Sequence, residues 1–493
     1  MQKLRKVVES RPIIILYSLL LFALCLLLVN DNNFWGDECY TIRLSQMSIR
    51  DMVSATSIDA HPPLYYIFTI IGQRLCGTAG WMYHLVSVIP YAIVLVLSNT
   101  IIWKRFGAGT TYLFVTLCSV LPNALEYNVE ARMYSWASLF VLCSFYFVLK
   151  ILNEDSHKNY MIFALFSLLA AYTHYYALLS VAFFYVALLI LAIWKKKSIK
   201  NVLITYAVTV VAYLPWVSVM FSTLVRTKDG WWLNDIEKLS DCLAFIFDVR
   251  IAPVSIAILM LTVALVMVRA IKKKDEVSTW SVIGVSAAFL TLAVGQGSSY
   301  LVRPFFLVRY LYPIAGVVWL ILSVVVGKLG HDNEESAKKN DQDGLIRNAS
   351  FAELKLWIPY IATALIILLC VRTDKNIITT SRGTDARCRE TVSELTSGIN
   401  ETETQSTPMI LSNSSHMNWT ILDYYFPGVA HSGEIDALDA NMCYYLVWEG
   451  DVSEDEKARF DANGFTPKKI FEDGVIGTTR VQVYELLKKT DAE

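Results

Sequence analysis

The sequence predicts a polytopic α-helical membrane protein with about eleven transmembrane helices, followed by a small α/β domain at the C-terminus. Of the 493 residues, 55% are hydrophobic and 18% are charged, and the mean hydropathy is +0.44. A soluble protein cannot bury that much apolar surface in its cores. The charges also divide along the chain, because residues 373–493 contain 11 Lys and Arg against 21 Asp and Glu, whereas residues 1–372 contain 32 against 23. We therefore predict two domains, a membrane domain at 1–372 and a soluble domain at 373–493.

Eleven stretches are apolar, and nearly free of charge, over about the 20 residues that a membrane-spanning helix needs. They are 12–29, 80–103, 110–126, 131–149, 160–174, 176–194, 201–222, 251–270, 278–297, 305–327 and 356–372. The first stretch follows a basic N-terminus and lacks a small-residue cleavage site after it. We therefore expect a retained span that begins in the cytoplasm.

A further apolar stretch, 63–76, would span only about 21 Å as a helix, which is too short to cross a bilayer. If this stretch lies at the outer interface, all the basic loops fall on the cytoplasmic side, as the positive-inside rule requires. These loops are 104–105, 150–158, 195–200, 272–274 and 328–355. We therefore predict a juxtamembrane helix at 63–76 and place residues 30–79 and 373–493 outside the membrane.

The C-terminal part alternates short apolar segments, such as 409–411 and 444–448, with polar turns, which is typical of a small α/β domain. It contains no recognisable catalytic motif. The nine cysteines are scattered without a CxxC pair, which argues against a structural zinc or redox site. No nucleic-acid partner is expected, because the positive charge is not concentrated on a soluble segment.

Ionisable residues cluster at the outer ends of the predicted spans, and a charge at membrane depth is costly, so these positions are candidates for function. They are Asp37, Glu38 and His61 in the first outer loop, Glu126, Glu130 and Arg132 between the third and fourth spans, His174 between the fifth and sixth, and Arg303 and Arg309 before the tenth. This pattern predicts a polar cleft that opens outward. The alternative is interfacial snorkelling, which accounts for single Arg or His residues better than for carboxylates.

Asp37 and Glu38 follow the first span directly, after two aromatic residues that anchor at the headgroups and a glycine that permits a sharp turn. If a helix continues from here, adjacent residues point about 100° apart, so only one acid can face a given substrate atom. One acid would then be a base and the other would hold a partner or a cation. The alternative is that both are helix-start acids favoured by the helix dipole.

Two other segments, 61–66 and 130–134, carry candidate site residues. Pro62 and Pro63 hold His61 in an extended conformation at the start of the juxtamembrane helix, where it could line the cleft or cap the helix. Glu130 and Tyr134 are spaced to share one helix face. Arg132 either faces the cleft or forms a structural salt bridge with Glu126.

Three motifs occur together at matching positions in one family, the GT-C membrane glycosyltransferases, which this chain resembles. The motifs are Gly36-Asp37-Glu38, His61-Pro62-Pro63-Leu64-Tyr65-Tyr66 and Glu130-Ala131-Arg132-Met133-Tyr134. Thr173-His174-Tyr175-Tyr176 and Arg309-Tyr310-Leu311-Tyr312-Pro313 fit the same pattern. More narrowly, the chain is similar to the bacterial branch of glycosyltransferase family 39, which is related to protein O-mannosyltransferases and to the aminoarabinose transferase acting on lipid A. The resemblance covers about residues 10–325.

The resemblance implies inverting transfer of a sugar from a polyprenyl-phosphate donor to a glycan, lipid or protein acceptor at the outer face of the plasma (inner) membrane. It implies Asp37 as general base, Glu38 and Glu130 as further catalytic acids, and the remaining site residues as substrate ligands. These are His61, Arg132, Tyr134, His174, Arg303, Arg309 and Tyr310, with the arginines as ligands of the lipid phosphate. No cofactor is certain. A divalent cation serves some relatives, and Glu38, Glu130 and a histidine are the residues that would hold it here.

Three other functions compete with a transferase of this family, one of which is a membrane-anchored sensor that acts through its acidic outer domain. A lipid-linked sugar transporter or flippase would also have many spans and an outward cleft, but it would normally show repeats, broken helices or mid-span charges. An O-antigen ligase would place arginines in its outer loops without the acidic motif after the first span. The sequence shows no such repeat and carries the acidic motif, which favours the transferase.

Overall fold

The computed structural model describes residues 2–195, 199–229, 233–342, 355–403, 409–413, 418–432, 443–448 and 450–489. Parts of the predicted basic loops at 195–200 and 328–355 lie outside these ranges. Within the described residues, seven helices are long and apolar enough to cross a membrane, and two shorter helices, Arg11–Leu26 and Ala108–Val120, are also apolar. These helices confirm the predicted class of polytopic helical membrane protein.

Helices follow one another through the first part of the chain with short connections. They are α1 (Gln2–Val8), α2 (Arg11–Leu26), α3 (Gly36–Ser45), α4 (Ile49–Thr56), α5 (Leu64–Cys76), α6 (Gly80–Leu97), α7 (Trp103–Phe106), α8 (Ala108–Val120) and α9 (Pro122–Tyr127). A π-helical turn, Ser98–Ile102, joins α6 to α7, so that the apolar helix continues to Phe106.

The second part of the helical region contains the longest helices. They are α10 (Tyr134–Asn153), α11 (His157–Thr173), α12 (Tyr175–Trp194), α13 (Lys200–Asp229), α14 (Leu239–Phe245), α15 (Ala252–Lys272), α16 (Glu276–Leu301), α17 (Tyr312–Gln342) and α18 (Ile358–Glu403). Short 3-10 helices, Val249–Ile251 and Val308–Leu311, lead into α15 and α17. Each of the eleven predicted spans contains a helix, although membrane crossing by α2, α8, α11 and α18 stays a prediction.

The predicted span at 110–126 is wrong as a single helix. Helix α8 ends at Val120, Leu121 is extended, and Pro122 begins α9. A proline disfavours the helical conformation in the residue before it but suits the first turn of a new helix. By contrast, the short helix predicted at 63–76 is confirmed as α5, which begins directly after Pro62 and Pro63.

The chain forms two compact units, which we describe separately. The helical unit contains Met1–Leu27, Ile49–Phe68 and Leu85–Lys375, and the sheet unit contains Leu28–Ser48, Thr69–His84 and Asn376–Glu493. Two segments of the predicted first outer loop therefore belong to the same unit as the C-terminal domain. One of these segments carries Asp37 and Glu38.

The core of the helical unit surrounds α17, whose membrane-spanning part is entirely buried. The buried indole of Trp319 on α17 donates a hydrogen bond to the Ile246 carbonyl at 2.6 Å, and that of Trp280 donates to the Phe145 carbonyl at 2.8 Å. Paired indole N–H groups allow these large side chains to be buried without loss of a hydrogen bond. The start of α17, where Arg309 and Tyr310 lie, is thus anchored in the packed core.

The sheet unit contains a mixed five-stranded sheet in the order β2-β1-β3-β5-β4. The strands are β1 (Met409–Ser412), β2 (Ala430–Ser432), β3 (Cys443–Val447), β4 (Phe465–Ile476) and β5 (Thr479–Lys488), with short helices α19 (Asp423–Tyr425) and α20 (Glu454–Ala462). β1 is parallel to β2 and β3, whereas β5 is antiparallel to β3 and β4. Leu411 lies opposite Tyr445, and both pack with Phe460 and Leu486 in the core. The predicted α/β domain is confirmed.

Candidate functional site

His174 is the single residue between α11 and α12, and its backbone is extended. Its Nδ1 accepts a hydrogen bond from the backbone N–H of Tyr176 at 3.1 Å, so the imidazole caps the start of α12. Because Nδ1 accepts, the proton of the neutral ring lies on Nε2. Nε2 is buried and has no hydrogen-bond partner among the described residues. His174 therefore presents an N–H donor whose tautomer is set by the backbone.

Aromatic rings from four separate segments surround His174. The His61 ring lies 5.4 Å from it, the Tyr310 ring 5.3 Å and the Tyr134 ring 5.7 Å, measured between centroids. Tyr176 stacks on Tyr310 at 5.1 Å. The residues that the sequence analysis chose from the loop before α5, the start of α10, the α11–α12 junction and the start of α17 are thus brought together.

Two guanidinium groups act on this cluster. Arg132 is 2% exposed, and its Nη1 donates to the Tyr66 hydroxyl at 3.5 Å. Burial, followed by the charges of Arg132 and Arg309, lowers the pKa of His174 to about 3. Burial, followed by Arg132, His174 and Arg309, also holds the pKa of His61 well below its usual range. Both histidines are therefore neutral beside two permanent positive charges.

A cavity of ≈ 490 Å³ opens beside the cluster. Its polar end is lined by His61, His174, Tyr310 and Ser298. The rest is apolar and is lined by residues of α12, α13 and α16, among them Leu178, Leu179, Ala182, Met220, Leu224 and Val294. A site with one polar end and a long apolar wall suits an amphipathic ligand.

The remaining predicted residues of the helical unit lie close to the cluster in sequence or in space. Glu130 lies in the non-helical turn between α9 and α10, so the predicted helix face shared with Tyr134 is wrong. Its carboxylate is near enough to act electrostatically on Tyr134 and Tyr127. Arg303 is half-buried in the loop after α16, and its role stays a prediction.

A second charged cluster was missed by the sequence analysis. Glu126 pairs with Arg250, so the alternative salt bridge between Glu126 and Arg132 is wrong. The backbone N–H of Arg250 also donates to Asp248 at 2.7 Å. Burial and the nearby carboxylates of Asp248 and Glu126, opposed by Arg250, together raise the pKa of Asp374 to about 7. The sequence feature that could have indicated this cluster is Asp248-Val249-Arg250, which directly precedes an apolar run but matches no known motif.

In the sheet unit, Asp37 and Glu38 lie in the first turn of α3 but have different surroundings. Glu38 is 3% exposed, its Oε2 accepts from the Trp35 N–H at 3.2 Å, and its Oε1 lies 3.9 Å from His84 Nδ1. The helix-start alternative therefore describes Glu38, which accepts the N–H of the residue that caps the helix. Asp37 is half-buried and is the more exposed of the two acids.

A metal site built from protein ligands alone is not formed by the described residues, among which no group of three or more His, Cys, Asp or Glu side chains could hold a metal ion. A cation would have to take further ligands from substrate oxygens, as Mg²⁺ commonly does. The predicted involvement of a divalent cation stays a prediction.

Comparison with protein-family models and with curated proteins finds no match for this chain. Solved structures do match. The crystal structure of ArnT from Cupriavidus metallidurans in the apo state has a TM-score of 0.57, and the structure of the same protein bound to undecaprenyl phosphate has a TM-score of 0.59. In both cases the identity is 12%, and the alignment covers 96% of this chain and 97% of the other. At this identity the likeness shows the fold, and it confirms the predicted GT-C fold over almost the whole chain, including the C-terminal domain.

Proposed function

We propose that this protein is a membrane glycosyltransferase that transfers a sugar from a polyprenyl-phosphate donor to an acceptor at the outer face of the membrane. The observation that carries the proposal is the cavity beside His174, which joins a polar end, near the positive charges of Arg132 and Arg309, to an apolar wall. The fold shared with ArnT, one structure of which is bound to undecaprenyl phosphate, supports the same class of donor. The outer location follows from the distribution of basic loops and remains part of the proposal.

The polar end suits a lipid phosphate. Arg132 and Arg309 supply positive charge, and a guanidinium can hold two phosphate oxygens at once. His174 adds a neutral N–H donor, which can bind an oxyanion without a change of protonation state. A leaving phosphate gains negative charge as the sugar departs, so donors placed at this end would stabilise the transition state more than the ground state.

The apolar wall suits the first isoprene units of the lipid. A polyprenyl chain gains about 25 cal/mol for each Å² of apolar surface removed from water, so a pocket lined by leucine, methionine and valine adds affinity without specificity. The cavity lies between α12, α13 and α16, whose outer faces carry exposed apolar side chains such as Leu214, Val211 and Leu290. Lateral entry of the donor from the lipid is therefore part of the proposal.

The chemical step that we propose is direct displacement at the anomeric carbon. The acceptor hydroxyl oxygen attacks that carbon, the bond from carbon to the phosphate oxygen breaks, and the polyprenyl phosphate leaves with the electron pair. The acceptor proton passes to Asp37, which acts as general base. Glu38 orients the start of α3, and Glu130 is the further acid beside Tyr134.

The test is transfer by the purified full-length protein in lipid nanodiscs. Undecaprenyl-phosphate-linked hexoses and pentoses carrying a radiolabelled sugar are supplied with membrane extract as the source of acceptor. From the wild type we expect equal amounts of labelled product and free undecaprenyl phosphate. From Asp37→Asn we expect a strongly reduced amount of both. If no donor is consumed, but the labelled lipid crosses the bilayer of reconstituted vesicles, the protein is a transporter and the proposal is wrong.

A further inference from the structure

The loop that precedes α3, residues 31–35, is held within the sheet unit by α18. The backbone N–H of Asn32 donates to Asp385 Oδ1 at 2.9 Å, and its side-chain amide donates to the same oxygen at 3.3 Å. The side-chain amide of Asn33 donates to the Ser381 hydroxyl at 3.0 Å. Ser381 and Asp385 are four residues apart and so lie on one face of α18. Two consecutive loop residues are therefore tied to a helix of the C-terminal domain.

Tyr425, at the end of α19, holds the same loop through one hydroxyl group. This hydroxyl donates to the Asn32 carbonyl at 2.7 Å and accepts from the Phe34 N–H at 3.2 Å. It thereby satisfies two backbone groups that no helix or strand pairs. Without it, both groups would lose their partner in a partly buried place, which is more costly than the loss of an exposed hydrogen bond.

Phe34 is packed on several sides by the sheet unit. Its ring is fully buried, stacks on His84 at 4.7 Å and meets the edge of Tyr424 at 5.6 Å. Gly477, in the turn between β4 and β5, has a φ of +64°, and a Cβ there would overlap the Phe34 carbonyl oxygen. The backbone of the C-terminal domain thus approaches the loop as closely as a glycine allows.

The other end of α3 is held as well. Arg43, in its last turn, donates to Asp423 Oδ2 at 3.1 Å, and Asp423 Oδ1 pairs with His431 at 2.8 Å. Asp37 therefore lies in a ten-residue helix that contacts the C-terminal part of the chain at both ends, through the loop before its first residue and through its last turn.

We propose that the C-terminal domain is the positioning element for the acids of α3, with Tyr425 as its main positioning residue. This inference rests on the proposed function, since it assigns Tyr425 the task of orienting the base, Asp37, which lies three residues beyond Phe34. A reacting group displaced by about 1 Å can lose as much as 100-fold in rate. The domain acts on turnover through α3 and touches no donor.

The experiment compares Tyr425→Phe with Tyr445→Phe in the full-length protein in nanodiscs. Tyr445 also loses a hydroxyl, which donates to Glu456 inside the sheet unit and away from the loop, so this variant controls for destabilisation of the domain. For Tyr425→Phe we expect kcat to fall about 10- to 100-fold with the donor KM and the Kd for undecaprenyl phosphate unchanged. Hydrogen–deuterium exchange of residues 31–40 should rise in Tyr425→Phe and stay at the wild-type level in Tyr445→Phe.

A conservative pair at Asp385 gives a second test. Asp385→Asn keeps an oxygen that can accept from Asn32, whereas Asp385→Ala removes it. We expect Asp385→Asn to keep most of the turnover and Asp385→Ala to resemble Tyr425→Phe. Equal turnover in the two variants contradicts the inference.

The outcomes separate this inference from the proposed function. If wild-type protein consumes no donor, the proposed function fails, and the exchange of residues 31–40 still decides whether Tyr425 holds the loop. If exchange in Tyr425→Phe equals that of the wild type, the inference is wrong whatever the activity. If exchange rises while kcat stays at the wild-type value, the loop is held but the positioning role is rejected.

Discussion

In the helical unit, the side chains around His174 come from segments spread between residues 61 and 310, whereas in the sheet unit Asp37 and Glu38 are consecutive residues of one helix start. The first group is buried beside two positive charges, and its histidines are kept neutral. The second group follows a loop that is hydrogen-bonded to residues near the C-terminus. The proposed phosphate-binding charges and the proposed base are thus positioned by different means.

This contrast predicts that mutations in the two groups should change different kinetic constants. Changes around His174 should alter donor affinity as well as turnover, because the charges and donors there would contact the phosphate in the ground state and bind it more strongly in the transition state. Changes in α3 should alter turnover at saturating donor, because a base acts in the chemical step. The four predictions below separate these responses, from the largest expected effect to the smallest.

Replacement of Asp37 by Asn should give the largest loss. The amide keeps size and hydrogen bonding but cannot accept a proton, and removal of a general base typically costs about 10²- to 10⁴-fold in rate. We expect a loss in this range in single-turnover transfer, with wild-type affinity for undecaprenyl phosphate.

Glu38→Gln is the matched control for Asp37→Asn. Glutamine can still accept a hydrogen bond from the Trp35 N–H, so the start of α3 should keep its structure. The loss of transfer rate should therefore be smaller than for Asp37→Asn. If Asp37→Asn turns over at the wild-type rate and Glu38→Gln is inactive, Glu38 is the base and our assignment is wrong.

In the helical unit, Arg309→Lys should mainly weaken binding of the polyprenyl-phosphate donor. Lysine keeps the charge but loses the planar fork that holds two oxygens, so we expect a raised donor KM and a fall in kcat/KM of about 10- to 100-fold. Arg269→Lys, which changes a buried arginine that pairs with Asp275 outside the cluster, is the control and should have no effect. Unchanged kinetics in Arg309→Lys would remove this residue from the site.

His174→Asn tests the donor on Nε2 apart from the helix cap. Asparagine is a good N-cap residue and keeps an acceptor for the Tyr176 N–H, but it lacks the ring N–H. We expect the Kd for undecaprenyl phosphate to rise about 3- to 10-fold, which corresponds to one lost hydrogen bond. Because the ring is neutral above about pH 3, the effect should be the same at pH 5.5 and pH 8. An effect that disappears at pH 8 would mean that a charged histidine binds the phosphate.

The smallest expected effect is on stability. The pKa of His174 is lowered in the folded protein to about 3, whereas in the unfolded chain it is about 6.5, so below pH 6.5 the unfolded chain binds a proton that the folded protein does not. Stability is therefore complete above that pH and falls by about 1.4 kcal/mol per pH unit beneath it. Thermal unfolding in nanodiscs between pH 7.5 and pH 5 should show a shallower decline in Tm for His174→Asn than for the wild type. Equal slopes would show that folding does not lower the pKa of His174.

Several features of the fold were predictable from local sequence. Apolar runs of about 20 residues predict spanning helices because a helix satisfies all its backbone hydrogen bonds within one segment, so the eleven stretches could be located without any contact information. The double proline that starts α5 acts through the torsion angles of adjacent residues, and the C-terminal alternation of apolar and polar residues reflects the pleat of a strand. The recurrence of acids, histidines and arginines at span ends was likewise visible.

Other features were decided by packing. Pro122 ends one helix and begins another within a continuous apolar run, and the run alone did not predict this break. The pairing of Glu126 with Arg250 rather than Arg132 depends on which helices are neighbours. The low pKa of His174 arises from burial and from charges on distant segments, neither of which can be read from its own flanks. In the same way, the sequence by itself determined that Asp37 follows the first span, but only the tertiary structure placed Tyr425 on its loop. Contacts between residues some 390 positions apart depend on how complete elements pack, and no local pattern of residues encodes them.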